Sequence, residues 1–351
     1  MPPHAKVIKG RYVFKVKPDS QNNIDKFRAR WIVQGFRQRP GLDFDKTHAS
    51  VSNIVTIRLI CAIACELDLD LYQADVVAAY LLGEIEKDID LYIQTPDGYA
   101  LEPDFAALLQ SGLYGTKQGG RRWQVKRTKI LASLGLEASA ADPSLYVKFE
   151  HDKFILVSTV VDDFLMTGSP KKYLDEFKAK LFATIDMTGG EHAKWFLNMS
   201  IARDRSQGLL KLDQAQYAET VLARFNMSRC KSASTPAQHG VVLSKLMCPV
   251  TKEEKEEARK LPYMSIIGSL LYFRITRPDI LQAVSKLASF SSCHGIAHWK
   301  AAKYILRYIK GTPNHGLLYT KSGKSKDKWQ LTMFVDSDYA TDIDTRRSRA
   351  G

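Results

Sequence analysis

The segment Phe154-Ile-Leu-Val-Ser-Thr-Val-Val161-Asp162-Asp163-Phe-Leu-Met166 constrains this chain more than any other. Adjacent carboxylates between β-branched and aromatic residues are costly to bury without a positive partner. The apolar flanks read as strands. The acids therefore lie either at a plain hairpin tip, where Asp satisfies local backbone groups, or at a site that uses their charge. A hard divalent cation, which takes oxygen ligands, is the usual compensation. A third acid, Asp75, sits in a similar apolar setting. Leu67, Leu69 and Leu71 alternate with Asp68, Asp70 and Tyr72, and continuing that parity puts Gln73 and Asp75 on the leucine face of a strand. An acid there marks a register break, a functional carboxylate, or the N-cap of a helix over Val76 to Leu82. Three carboxylates gathered on two metal ions would make a nucleotidyl-transfer site, because such ions stabilise the attacking and leaving oxygens.

The rest of the chain suits a polyanionic partner. Its 351 residues carry 51 Lys plus Arg against 38 Asp plus Glu, a net charge of +13. The excess is local: Arg121, Arg122, Lys126, Arg127 and Lys129 share one acid-free stretch, and Lys300, Lys303, Arg307 and Lys310 recur down a later helix. No run of about 18 apolar residues argues for a membrane span. The N-terminus lacks the apolar core of a secretory signal. The expectation is an intracellular protein with no membrane partner, cytoplasmic or nuclear. The five cysteines form no C-x-x-C pair, and Cys61 and Cys65 read as buried thiols. Cys293, His294 and His298 lack a fourth ligand for zinc. There is no G-x-x-x-x-G-K-[ST] loop, which counts against a P-loop enzyme.

Periodicity predicts an α+β chain. Residues 6–40 read as a hairpin, with Tyr12–Val16 and Phe27–Val33 as strands and Asp19–Asn23 as the turn. Ser52-Asn53 caps a helix over Ile54–Cys65, and Gly119–Leu134 is a basic helix with Trp123, Ile130, Leu131 and Leu134 on its apolar side. Strands are expected over 145–149, 154–161, 195–201 and 208–212, and helices over 173–182, 214–225, 279–292 and 297–310. Residues 226–260 read as a linker whose acidic run Glu253–Glu257 is a solvated face, and Leu331–Val335 as a final strand reaching Asp336.

The chain resembles the reverse transcriptase of Ty/copia-type LTR retrotransposons from about Val7 to Gly351. The marks include Tyr12-Val-Phe-Lys-Val-Lys17, Phe27-Arg-Ala-Arg30, Gln34-Gly-Phe-Arg-Gln38 and Gln73-Ala-Asp-Val-Val-Ala-Ala-Tyr-Leu-Leu-Gly83. They continue with Leu113-Tyr-Gly-Thr-Lys-Gln118, Arg121, Trp123, Val161-Asp-Asp-Phe-Leu165, Thr276-Arg-Pro-Asp-Ile280, His298-Trp-Lys-Ala-Ala-Lys303 and Leu306-Arg-Tyr-Ile-Lys-Gly-Thr312. The resemblance implies a right-hand polymerase fold: fingers and palm over 1–187, primer grip, thumb and linker over 188–260, a helical connection over 261–328 and a truncated start of an RNase H-like domain over 329–351. It implies an RNA-directed DNA polymerase that uses dNTPs and two Mg²⁺ ions, with Mn²⁺ as a substitute, on an RNA or DNA template and primer. Asp75, Asp162 and Asp163 match the catalytic, metal-holding acids, and Val76 would add its backbone carbonyl. Tyr80 falls at the position that excludes a ribose 2′-OH, and Gln118 at a glutamine that contacts the incoming nucleotide. Arg28 or Arg30 would grip its triphosphate. Trp195, Phe196, Leu197 and Asn198 resemble the primer grip, and Arg121, Arg122, Lys126 and Arg127 would face template or primer phosphates. Asp336 matches the first RNase H acid, and without the later acids no RNase H activity is expected. Departures from the family pattern stand at His48–Val51, Gly119-Gly120, Val160 and Asn198. They make the alternative a catalytically inactive retroelement-derived fragment that at most binds nucleic acid.

Overall fold

The computed structural model describes residues 6–18, 24–99, 105–323, 332 and 334–348. It divides into two compact units, Met1–Ile60 with Leu69–Ala193, and Cys61–Asp68 with Lys194–Gly351.

The first unit begins with an antiparallel hairpin of β1 (Gly10–Pro18) and β2 (Ile24–Val33). Its period-2 pattern puts Tyr12, Phe14, Phe27 and Trp31 on one face and Lys15, Arg28 and Arg30 on the other. The turn expected over Asp19–Asn23 lies outside the described residues. Helix α1 (Ile54–Glu66) follows, its residues from Cys61 on counted with the second unit, then β3 (Tyr72–Val76) and the short pair β4 (Tyr92–Ile93) and β5 (Ala107–Leu108). Helix α2 (Gly119–Ser133) ends at Gly135, whose φ of 83° is the left-handed turn that glycine accepts. Strands β6 (Glu137–Ala138), β7 (Leu145–Glu150), β8 (Lys153–Val160) and β9 (Asp163–Ser169), helix α3 (Lys171–Thr184) and strand β10 (Met187–His192) complete it.

Six of these strands form one antiparallel sheet in the order β10-β3-β9-β8-β7-β6. Tyr72, Ala74 and Val76 of β3, Ile155 and Val157 of β8, and Phe164 and Met166 of β9 share one buried core with Trp123, Ile130 and Leu131 of α2 and Leu174, Phe177 and Leu181 of α3. The expected parity at Asp75 is therefore reversed. Tyr72, Ala74 and Val76 are the buried set, while Asp75 is exposed. Helix α1 runs to Glu66, and Asp68 takes a φ of 54°, so residues 67–71 turn rather than begin the strand. The N-cap alternative also fails, because the chain stays in the strand through Val76 and the next turn of 3-10 helix starts at Ala79.

The second unit contains a four-stranded antiparallel sheet of β11 (Trp195–Phe196), β12 (Met199–Asp204), β13 (Leu209–Asp213) and β14 (Gly316–Thr320). The expected single strand over 195–201 is thus a tight hairpin. Between β13 and β14 run α4 (Ala215–Arg224), α5 (Lys252–Lys260), α6 (Tyr263–Phe273), α7 (Leu281–Ala288) and α8 (Ile296–Gly311). Helix α6 supplies Tyr263, Ile266, Ile267, Leu270 and Phe273 to the core shared with α4, α7 and α8. Met264, Ser265 and Gly268 on its other side are exposed, and with methionine and glycine there the sequence shows little polar contrast between the two faces. The expected linker ends in α5, capped by a Thr251–Glu254 capping box, with the acidic run exposed on that helix.

Two expectations fail at the far end. Leu331 and Met333 lie outside the described residues, and Thr332 and Phe334–Asp336 are not in a strand. Phe334 and Val335 are exposed, without the sheet partners that the strand reading needs among the described residues. The basic row on α8 is partly structural: Arg307 donates to the Lys231 carbonyl at 2.8 Å and Lys310 to the Cys230 carbonyl at 2.5 Å. Among the described residues no helix is long and apolar enough to cross a membrane.

Candidate active site

Strands β8 and β9 are joined by the two-residue turn Val161-Asp162, so the acid pair stands at a hairpin tip. Val161 has a φ of 57°. Positive φ at the first central residue of a two-residue hairpin is the place glycine normally takes, and a β-branched residue there is strained by roughly 1–3 kcal/mol. The Val161 carbonyl accepts from the Trp123 indole Nε1–H at 2.6 Å and from Arg127 Nη1–H at 3.4 Å.

Asp75 of β3 lies directly opposite Asp163 of β9. Side chains paired this way start from Cβ atoms roughly 4.5–5.5 Å apart, and like charges there repel. The Val76 N–H donates to the Asp162 carbonyl at 2.9 Å and so ties the strand that carries Asp75 to the turn that carries the pair. Burial, and then the charges of Asp162 and Asp75, push the Asp163 carboxyl up to about 6. Among the described residues neither Asp162 nor Asp163 forms an ion pair with a basic side chain. A set of hard carboxylate donors that raises one member's affinity for protons suits a divalent cation in chemistry. The side chains as placed are not gathered onto one point, however: among the described residues no three His, Cys, Asp or Glu groups are close enough to hold an ion.

Tyr80 is half-buried beside this site. Burial, followed by the Asp162 charge and by Tyr114, raises its phenol above the ordinary tyrosine value, so its hydroxyl stays neutral. Its ring lies 5.3 Å from that of Tyr114, and the Arg30 guanidinium sits 4.9 Å above the Tyr114 ring. Arg30 thus stacks on Tyr114, whose ring packs against that of Tyr80. Arg28 shares its face of the hairpin and stands across from Lys15, a like-charge pair that an anion would relieve.

The start of α2 packs against Tyr80. A Cβ on Gly119 would come 2.7 Å from Thr116 Oγ1 and 3.2 Å from Tyr80 Cδ1, whereas one on Gly120 would meet Ala49 Cβ at 3.5 Å and Tyr80 Cε1 at 3.8 Å. Gly119→Ala should therefore cost about 1–3 kcal/mol through overpacking. Gly120→Ala should stabilise by about 0.5–1 kcal/mol, because alanine loses less backbone freedom in a helix. Urea unfolding of both variants checks this, and equal shifts would contradict the packing assigned to Gly119.

Two expected roles do not fit the burial of their residues, those of Arg127 and Gln118. Arg127 is 1% exposed and cannot face phosphates; beyond Val161 its donors point to Tyr146 Oη at 3.5 Å and Ser144 Oγ at 3.4 Å. Gln118 is fully buried, donating to the Asp43 carbonyl at 3.0 Å and accepting from Gln38 Nε2 at 2.9 Å. It holds the 35–43 segment to the start of α2. Arg122 and Lys126 are paired with Glu86 at 2.8 Å and Glu84 at 3.2 Å, so their charges are already partly answered; Arg121 is half-buried on the same helix. Motif and charge alone could not separate these cases, because all four cations occupy one basic helix.

Trp195, Phe196, Leu197 and Asn198 lie in the second unit, on the β11–β12 hairpin. Leu197 and Asn198 have φ values of 50° and 55°, the two left-handed residues of a type I′ turn. Asparagine tolerates that conformation. The Tyr272 hydroxyl donates to the Leu197 carbonyl at 2.7 Å, and Phe196 is buried while Trp195 is exposed. Asp336 is exposed in the same unit, and among the described residues it belongs to no group of acids able to hold a metal. His294 stacks on Tyr263, and His298 Nδ1 accepts from the Gly295 N–H at the start of α8.

Sequence reasoning missed Asp142. Its buried carboxylate accepts from Asn53 N at 2.8 Å, Thr56 Oγ1 at 2.6 Å, Ser52 Oγ at 3.1 Å and Ser144 N at 3.0 Å. Apart from Ser144, those donors lie more than 80 positions away in sequence, so no local pattern could reveal the cluster.

The family model described as reverse transcriptase (RNA-dependent DNA polymerase) matches residues 1–239. The chain is 38% identical over 355 residues to the retrovirus-related Pol polyprotein from transposon TNT 1-94 of Nicotiana tabacum, covering 100% of this chain and 26% of that protein. It is 32% identical over 356 residues to the Pol polyprotein from transposon RE1 of Arabidopsis thaliana, covering 100% of this chain and 23% of that one. The chain thus spans about a quarter of the length of these curated relatives. With a strand-borne acid opposite a hairpin-borne acid pair on a mixed α/β scaffold, and a match over its whole length, the chain belongs to the reverse transcriptase (RNA-dependent DNA polymerase) family.

Proposed function

We propose that the chain extends a primer 3′-OH with deoxynucleotides on an RNA or DNA template, as the polymerase region of a copia-type Pol polyprotein acting inside the cell. The observation that carries this reading is the register of Asp75 against Asp163, beside Asp162, with the Asp163 carboxyl raised to about 6. Three acids held so that they repel one another cost stability, and a bound cation repays it. Asp75, Asp162 and Asp163, with the Val76 carbonyl, would hold Mg²⁺, or Mn²⁺ in its place, the side chains turning inward from their present positions. Divalent ions at such a site supply charge neutralisation for the attacking and leaving oxygens. The protein's own share is positioning. Tyr80, next to Asp162, limits the room beside the sugar and so disfavours a 2′-OH. Arg30, carried on Tyr114, and Arg28, facing Lys15, offer forked donors to a triphosphate. Arg121 is the α2 cation we assign to backbone phosphates, and the Trp195–Asn198 turn is assigned to the primer end. In this reading the first unit holds fingers and palm.

A second reading, an inactive retroelement-derived protein that only binds nucleic acid, draws support from the ungathered carboxylates. Primer extension on poly(rA)·oligo(dT) with Mg²⁺ or Mn²⁺, comparing the parent with Asp162→Asn, separates the two. The parent should extend and the variant should not. A folded parent that binds the duplex without extending it would establish the second reading. Supplying ribonucleotides in the same assay tests Tyr80→Ala, which should incorporate them more readily.

A further inference from the structure

The strained turn that carries the acid pair has a specific support. Val161 holds a φ of 57°, unfavourable for valine, and such a conformation persists only where the surroundings impose it. Trp123 and Arg127 stand four residues apart on α2, both 1% exposed, and both donate to the Val161 carbonyl, at 2.6 and 3.4 Å. The indole bond is short, and it is the only hydrogen bond the indole N–H can make. Arg127 is a buried cation that forms no ion pair among the described residues; its other acceptors are hydroxyls, and the Tyr146 ring lies 5.7 Å away. Burying a guanidinium this way is costly, and folding alone does not require it, since Tyr146 Oη is already bonded to Thr128 Oγ1 at 2.7 Å and Ser144 Oγ to Ser50 Oγ at 2.8 Å.

We propose that Trp123 and Arg127 are positioning residues that clamp the Val161 carbonyl and so fix the direction in which Asp162 and Asp163 are presented. The claim rests on the reading of those acids as the metal-holding pair, but its structural half stands apart from that reading. Trp123→Phe keeps an aromatic ring in the core and removes the donor. Arg127→Met keeps much of the volume and removes the charge.

The expected result in both variants is faster amide hydrogen exchange confined to residues 161–163. Mn²⁺ affinity should be several-fold weaker and kcat for extension about 10-fold or more lower, with KM for primer-template little changed. Arg127→Met should do this without lowering Tm, which a purely structural arginine would not allow. Adding Val161→Gly to Trp123→Phe should recover part of kcat, because glycine accepts the positive φ unaided. Unchanged exchange at 161–163 in both variants overturns the proposal, whether or not the protein polymerises. If the parent itself neither extends primers nor binds Mn²⁺, the function proposed above fails, and the exchange measurement still decides the clamp.

Discussion

Replacing Asp163 by asparagine should make the metal-free protein more stable at neutral pH while abolishing primer extension. The Asp163 carboxyl is raised to about 6 in the fold, by burial first and then by the charges of Asp162 and Asp75, against an ordinary value near 4. Between those values the folded state holds a proton that the unfolded chain releases. Stability therefore falls as pH climbs from about 4 through about 6 and stays lower above it. At about 1.36 kcal/mol per unit, and allowing for partial solvent access, the penalty at pH 8 is about 1–2 kcal/mol. Asparagine carries no charge and escapes it. Urea unfolding in EDTA at pH 4 and pH 8 checks the sign: the variant's advantage should appear at pH 8 and vanish at pH 4. An advantage equal at both pH values would mean that repulsion among the acids is not its source. Millimolar Mg²⁺ should then raise the Tm of the parent and leave that of the variant nearly unmoved.

Asp142→Ala should be the most damaging substitution outside the acid cluster. Four donors converge on this buried carboxylate, two of them backbone N–H groups, and they join the entry to α1 with the start of β7. Burial alone would raise its pKa. The hydrogen bonds from Thr56, Asn53, Ser144 and Ser52 outweigh that and hold it below the usual carboxylate range. Its stabilisation is therefore complete above the unfolded value near 4 and lost as acid protonates the folded carboxylate. Removing the side chain leaves several donors without a partner, at a cost of about 3 kcal/mol or more. Asp142→Asn keeps one acceptor oxygen and should lose about half as much. The denaturation midpoints of the two variants give the answer, and an alanine variant as stable as the parent would show that water replaces the carboxylate freely. The consequence reaches the site, since the Ser52 N–H donates to the Thr159 carbonyl at 3.1 Å, on the strand that leads to the acid pair.

The acid pair and its hairpin were legible because two apolar period-2 runs meet at adjacent charges, a pattern that only a turn resolves. The β1–β2 hairpin and α2 were legible for the same reason, strong local periodicity closed by turn residues. Asp75 was found, and of the readings open for it the register break is the one the structure shows. The leucine alternation before it belongs to a helix end and a left-handed Asp68, and one residue of offset turns every later side chain over. Arg127 was placed correctly on its helix but expected at the surface, and the burial of Arg127 and Gln118 could not be read, since burial depends on chain segments far away in sequence. Helix α6 escaped because periodicity reports contrast between faces, and this helix has little.

What the sequence determined by itself is the family, the three acids and the strands that bear them, because these are written in residue types at short range. Tertiary structure decided which acids face one another, which arginine is buried under the turn and which is left outside, and that Asp142 ties α1 to the sheet. Those are long-range pairings, settled by which distant groups can fill the same space and satisfy the same buried hydrogen bonds.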